Sequence, residues 1–200
     1  PSDDTPPPLA PTPPGPDVTP PVSSLPLIPV DKGFTIELRS GDTKEQLFDK
    51  LSSQIDAASD LSSDQIVHLV LRQENANLTL GQFEGLLGID FSSFVNKDTF
   101  TLLYIPRDEG GTFGLVIKIT DPNGVSEFFT EREKDIPLIA NDIYASYTKS
   151  ALPHARSEEF LENVYQGVSI RYMNFDTPER AFDYAVYEDL LLLAGSKEAM

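Results

Sequence analysis

The sequence predicts an α+β fold: an antiparallel or mixed sheet with helices packed on one face. Three observations predict it. Over Val168–Met173 and again over Phe182–Tyr187 residues alternate at a period of two, as in strands with one side on a core. Other segments, such as Leu47, Phe48, Leu51 and Ile55, carry an apolar stripe at helical spacing. Finally, hairpins at Thr99–Ile119 and Phe182–Ala194 are each followed by a capped helix start, at Asp121 and at Ser196. These read as two ββα-type units with helices on one face of the sheet.

Residues 1–31 precede the folded part. Pro1 to Pro29 holds 12 of the 17 prolines, mixed with Ser, Thr and Asp. Such a stretch favours polyproline II and cannot pack a core, so residues 1–31 read as a disordered proline-rich linker. At ~3.1 Å per residue, about 30 such residues span on the order of 90 Å. A ligand for SH3-like or WW-like domains is the other reading, but the flanking Arg or Lys that orients such ligands is missing. Residues 32–200 read as a single α+β domain.

Phe34, Ile36 and Leu38 alternate with Thr35, Glu37 and Arg39 and form a first strand. Ser40-Gly41-Asp42 turns the chain, and Asp42 with Glu45 reads as a capping-box variant opening a helix. Ser62–Asp64 turns into a second strand, Gln65–Arg72. A short helix with Phe83, Leu86 and Leu87 ends at Gly88, and Phe91–Val95 reads as another helical turn. Thr99–Ile105 and Phe113–Ile119 are strands joined by the loop Arg107–Thr112. Asp121 caps a helix with Pro122 at its first position and Val125, Phe128 and Phe129 on its buried face. Ile136, Ile139, Ile143 and Tyr147 space a further helix over Asp135–Tyr147, and Ser150–Ser157 is a loop. Phe160–Tyr165 pairs through Gln166-Gly167 with the strand Val168–Met173. Pro178 stops that strand by fixing φ and removing a donor. Phe182–Tyr187 and Leu190–Leu193 form a tight hairpin about Glu188-Asp189. Leu190–Ala194 is apolar on both faces, which predicts a central strand covered on each side. The chain stops inside the helix begun at Ser196, and Pro1 is not a start methionine. The expectation is a fragment of a longer protein, truncated at the C-terminal end of its domain.

Composition excludes several functions. The net charge is −17, with 32 acidic against 15 basic residues, and residues 1–32 contribute −3 of it. A surface of that sign repels phosphate backbones and anionic membranes, so nucleic acid is not an expected partner. There is no cysteine, hence no disulfide, thiolate metal site or Cys nucleophile. No apolar run approaches the ~20 residues of a membrane helix.

At Asp183-Tyr-Ala-Val186, Leu191-Leu-Leu193 and Ser196-Lys-Glu-Ala-Met200 the chain resembles a group of uncharacterised bacterial envelope proteins. The resemblance extends to Asn163–Phe175 and Phe113–Lys118, and spans most of residues 30–200. Those proteins carry an N-terminal membrane helix, a proline-rich spacer and an extracytoplasmic α+β domain. The resemblance implies an extracytoplasmic, membrane-tethered location through an anchor upstream of Pro1, and no activity.

Candidate chemistry is sparse. His68 shares a strand face with Ile66 and Val70 and reads as a structural histidine. His154 sits in a loop beside Arg156, and neither histidine has a carboxylate at ligand spacing, so zinc is not expected. Asp121-Pro-Asn123-Gly124 resembles a calcium loop but lacks its sixth-position glycine and terminal glutamate. Gly110-Gly111 is a hairpin loop, because no Lys-Ser/Thr or helix follows to cradle a phosphate. Asp108-Glu109, Glu131/Glu133 and Glu158-Glu159 read as solvated faces, and Asn77-Leu-Thr79 fits a glycosylation triplet. No residue is assigned a catalytic, cofactor-binding or metal role, and no cofactor is expected. The expectation is a tethered binding or scaffolding module of the cell envelope, its partner an unidentified protein or envelope component. A hydrolase-type enzyme with a carboxylate pair assembled only in three dimensions, or a surface-appendage subunit, are the alternatives.

Overall fold

The alternating segments pair into one nine-stranded mixed sheet in the computed structural model. It describes residues 25–58, 60–63, 65–91, 94–107, 111–134, 159–176 and 180–195. The strands are β1 (Lys32–Leu38), β2 (Val67–Gln73), β3 (Ala76–Asn77), β4 (Val95–Ile105), β5 (Thr112–Ile119), β6 (Leu161–Tyr165), β7 (Val168–Asn174), β8 (Ala181–Tyr187) and β9 (Leu190–Ala194). They run in the order β1-β2-β4-β5-β9-β8-β7-β6, with β3 pairing β2 alone. Only β1 and β2 are parallel, and the helix α1 (Lys44–Ala57) makes their crossover. The remaining helices are α2 (Leu80–Leu87) and α3 (Pro122–Arg132).

Register fixes which side chains share a face. Leu69 faces Leu102, Leu102 faces Leu115, Leu115 faces Leu193, and Leu193 faces Tyr184. All three helices pack on that face. Phe48 of α1 meets Phe113 edge-on, Phe83 of α2 stacks on Phe100 at 4.8 Å, and Phe129 of α3 stacks on Tyr184 at 4.3 Å. Among the described residues the helices therefore lie on one face of the sheet. The second ββα-type unit has its hairpin, β8–β9, but its helix from Ser196 lies outside the described residues, as does the helix expected over Asp135–Tyr147.

The opposite face is also buried at its centre, at Thr101, Val116, Asp183 and Ala185. The chain before Lys32 contributes there. Leu27 N–H donates to Thr101 Oγ1 at 2.8 Å, and the Asp31 carboxylate accepts from Ile66 N–H at 2.7 Å.

Several local expectations shift. The N-cap of α1 is Thr43, boxed with Gln46, and not Asp42 with Glu45. The Asp42 carboxylate instead accepts from Arg39 N–H and pairs with Lys50. Those contacts, the Lys50 hydrogen bond first, hold its pKa below the ordinary aspartate value. β4 starts at Val95, inside the expected helical turn Phe91–Val95, and a register shift between Val95 and Phe100 bulges it. Glu74-Asn75 closes a β2–β3 hairpin with φ of 52° and 68°. Asp121 and Gly88 cap α3 and α2 as expected, Gly88 in the left-handed conformation with φ 72°.

Candidate functional site

The candidate site is a cavity of about 440 Å³ between the helical layer and the sheet. Its depth follows from side-chain chemistry at positions already fixed by the fold. From the helices come Leu47, Phe48 and Leu51 of α1, Phe83 and Leu87 of α2, and Phe128 and Phe129 of α3. From the sheet come Leu102 of β4, Phe113 and Leu115 of β5, Phe182 of β8 and Leu193 of β9. Phe91 and Phe175 complete the aromatic wall, so eight of the chain's twelve phenylalanines line one space. Its size lies within the ~300–1,000 Å³ of small-molecule sites, and its lining is as apolar as theirs.

Gly111 lies at the edge of this space for a steric reason. A Cβ there would fall 2.1 Å from the Tyr104 ring, so any other residue would require that ring to move. Arg180 Nη1 donates to the Gly111 carbonyl at 3.2 Å, tying the start of β8 to the same corner.

The charged residues of the lining are Asp90, Arg132 and Arg180. Lining residues that are also exposed mark the mouth, and Gly88, Asp90 and Arg132 are such residues. Asp90 is already occupied: Lys97 Nζ lies 3.1 Å from it, and 2.6 Å from Glu84. Glu84 is a buried acid of α2, and it also accepts from Phe91 N–H at 2.8 Å. Burial works against the Lys97 ammonium, but the two carboxylates outweigh it and raise its pKa above the ordinary lysine value. This cluster fixes the loop 88–91 that forms one lip.

The other lip is the last turn of α3. Arg132 lies over the Phe128 ring, 4.8 Å from its centre. Among the described residues no hydrogen bond or ion pair engages its guanidinium. The adjacent Glu133 is engaged: both its oxygens accept from Arg171, and Tyr184 Oη donates to Oε1 at 2.6 Å. Burial first, and then this carboxylate, push the Tyr184 phenol above its ordinary pKa. The triad anchors α3 to β7 and β8, so Glu133 does not belong to the solvated face expected for Glu131/Glu133.

The residues singled out in the sequence do not converge on the cavity, with one exception, Gly111. His68 lies on the face away from the helices, 7% exposed, and desolvation lowers its pKa. Asp121 spends its side chain on Asn123 N–H, and Gly124 packs so tightly that a Cβ would meet Phe94 at 2.9 Å. Thr79, the third residue of the glycosylation triplet, caps α2. Glu131 and Glu159 are exposed, while His154, Asp108, Glu109, Gly110 and Glu158 lie outside the described residues. Among the described residues no three His, Asp or Glu gather where they could hold a metal, and no helix is long and apolar enough to cross a membrane. The cavity itself was not foreseen; the only signal for it was the number of phenylalanines.

Comparison with protein families, curated proteins and solved structures finds no match to this chain.

Proposed function

We propose that this domain is a binding module that holds an apolar ligand in the cavity between its helices and its sheet. The observation that carries the reading is the cavity: about 440 Å³, walled by phenylalanine and leucine, with an open mouth. Native interiors close-pack, so an apolar space of that size in a core marks room kept for something else. The envelope tether belongs to the same proposal and rests on the resemblance and the proline-rich linker; so does the pair of ββα-type units, of which Val95–Arg132 is the complete one. A carboxylate-based hydrolase draws less support. Among the described lining residues one carboxylate is present, Asp90, with no second carboxylate of the lining to pair with it.

Fluorescence titration with the neutral probe N-phenylnaphthylamine tests the reading. Saturable one-to-one binding is expected, and Leu87→Trp, which fills the space from a half-buried position, abolishes it while the fold persists by circular dichroism. Unsaturable partitioning, or binding indifferent to Leu87→Trp, overturns it.

A second reading has its own observation. All five residues of β6, Leu161–Tyr165, are exposed, and β6 ends the sheet among the described residues. Leu161, Val164 and Tyr165 make that edge apolar. An open apolar edge is a template for pairing with another strand, as a subunit of a surface assembly requires.

A further inference from the structure

We infer that the ligand of this cavity is an anion with an aromatic body, its ring system among the phenylalanines and its charge at Arg132. The inference rests on the binding reading above and adds the ligand's chemical class.

Two independent features of the site carry it. The first is the wall. Eight phenylalanines are more aromatic surface than an acyl chain needs, and ring–ring contacts add to the gain from burial alone when the guest is itself aromatic. The second is the charge at the mouth. In a chain of 32 acids and 15 bases, the described lining residues exposed at the mouth include one acid, Asp90, and one base, Arg132. The acid, Asp90, is exposed and shares Lys97 with Glu84. Of the two carboxylates flanking the base in sequence, Glu133 is engaged by Arg171 and Tyr184, and Glu131 is exposed, where solvent weakens its pull. Among the described residues no partner takes up the donors of Arg132, and its ring partner Phe128 orients it at the entrance. A second arginine, Arg180, stands half-buried in the lining.

Two effects oppose an anion here. The net charge of −17 repels it, but at physiological salt charges beyond ~8 Å are largely screened. The C-terminal ends of α2 and α3 point their negative dipole ends toward the mouth, each equivalent to about half a charge. The whole charge of Arg132 at that position outweighs the end it sits on, and its fork of donors suits a carboxylate or sulfonate.

A matched pair of fluorescent probes tests this: neutral N-phenylnaphthylamine and its sulfonate, anilinonaphthalene sulfonate, which share one ring system. The sulfonate should bind the native domain roughly tenfold more tightly, as a charge-assisted hydrogen bond gives, although general repulsion by an acidic protein predicts the reverse. Arg132→Glu should abolish that preference, lowering the sulfonate's affinity far more than the neutral probe's. Arg132→Lys should keep part of it, and added salt should narrow it. If the neutral probe saturates but the sulfonate binds no tighter, the charge assignment fails and the binding reading stands. If Arg132→Glu weakens both probes equally, Arg132 shapes the cavity and does not select the ligand, and the inference fails. If neither probe saturates, both readings fail together. Dodecanoate displacing the sulfonate more effectively than naphthoate would overturn the aromatic assignment.

Discussion

Leu191 and Leu192 are neighbours on β9 whose side chains leave the sheet in opposite directions. Leu191 points under the helices, opposite Ile117 and Val186, and is fully buried. Leu192 points to the other face, opposite Val116 and Ala185, and is half-buried. Truncating Leu191 to Ala should cost ~2–5 kcal/mol, and truncating Leu192 about half as much or less. Paired denaturant melts check this, and equal losses would show that both faces are equally dry. The sequence predicts that β9 is central, since four leucines in a row leave no wet side. It does not predict the inequality, which depends on what crosses each face. Glu133 shows the same limit. Its partners Arg171 and Tyr184 lie 38 and 51 residues away, so no local pattern distinguishes it from the exposed Glu131.

Elements were legible where their signals are local. The caps of α2 and α3 follow from Gly88 and Asp121-Pro122, and the β6–β7 hairpin from Gln166-Gly167. The start of α1 falls one residue later than Asp42 predicts, because Lys50 and Arg39 draw Asp42 away and Thr43 caps instead. The β2–β3 hairpin was missed because Glu74-Asn75 carries two positive φ angles without a glycine. The bulge in β4 was missed for a tertiary reason. It lies within residues 95–100, where Lys97 reaches across to α2, and the Lys97–Glu84 pair exists only once both elements are in place. Replacing Lys97 by Met should leave Glu84 buried beside Phe91 N–H without its cation. Lys97 is itself 38% exposed, which weakens the pair, so the expected cost is about 1–3 kcal/mol. In that background Glu84→Gln should recover part of the loss. A denaturant melt of the single and double variants decides, and a loss below ~0.5 kcal/mol in Lys97→Met would contradict the account.

At the scale of the molecule, patterning predicts an antiparallel or mixed sheet with helices on one face, and the strand order then brings together residues that the sequence keeps apart. The cavity draws on three helices and four strands between Leu47 and Gly195. Each contribution is an ordinary core residue of its own element, which is why the site was illegible. What makes it a site is the space that the described lining side chains leave in the middle, and an unfilled space leaves no motif. The central claim is that this space is a binding site and that the exposed β6 edge is not where an apolar ligand goes. Methyl NMR during titration with anilinonaphthalene sulfonate tests it most directly. The account predicts saturable shifts at the methyls of Leu47, Leu51, Leu87 and Leu193, with Leu161 and Val164 unmoved. Shifts concentrated at Leu161 and Val164, with the cavity methyls silent, would contradict it.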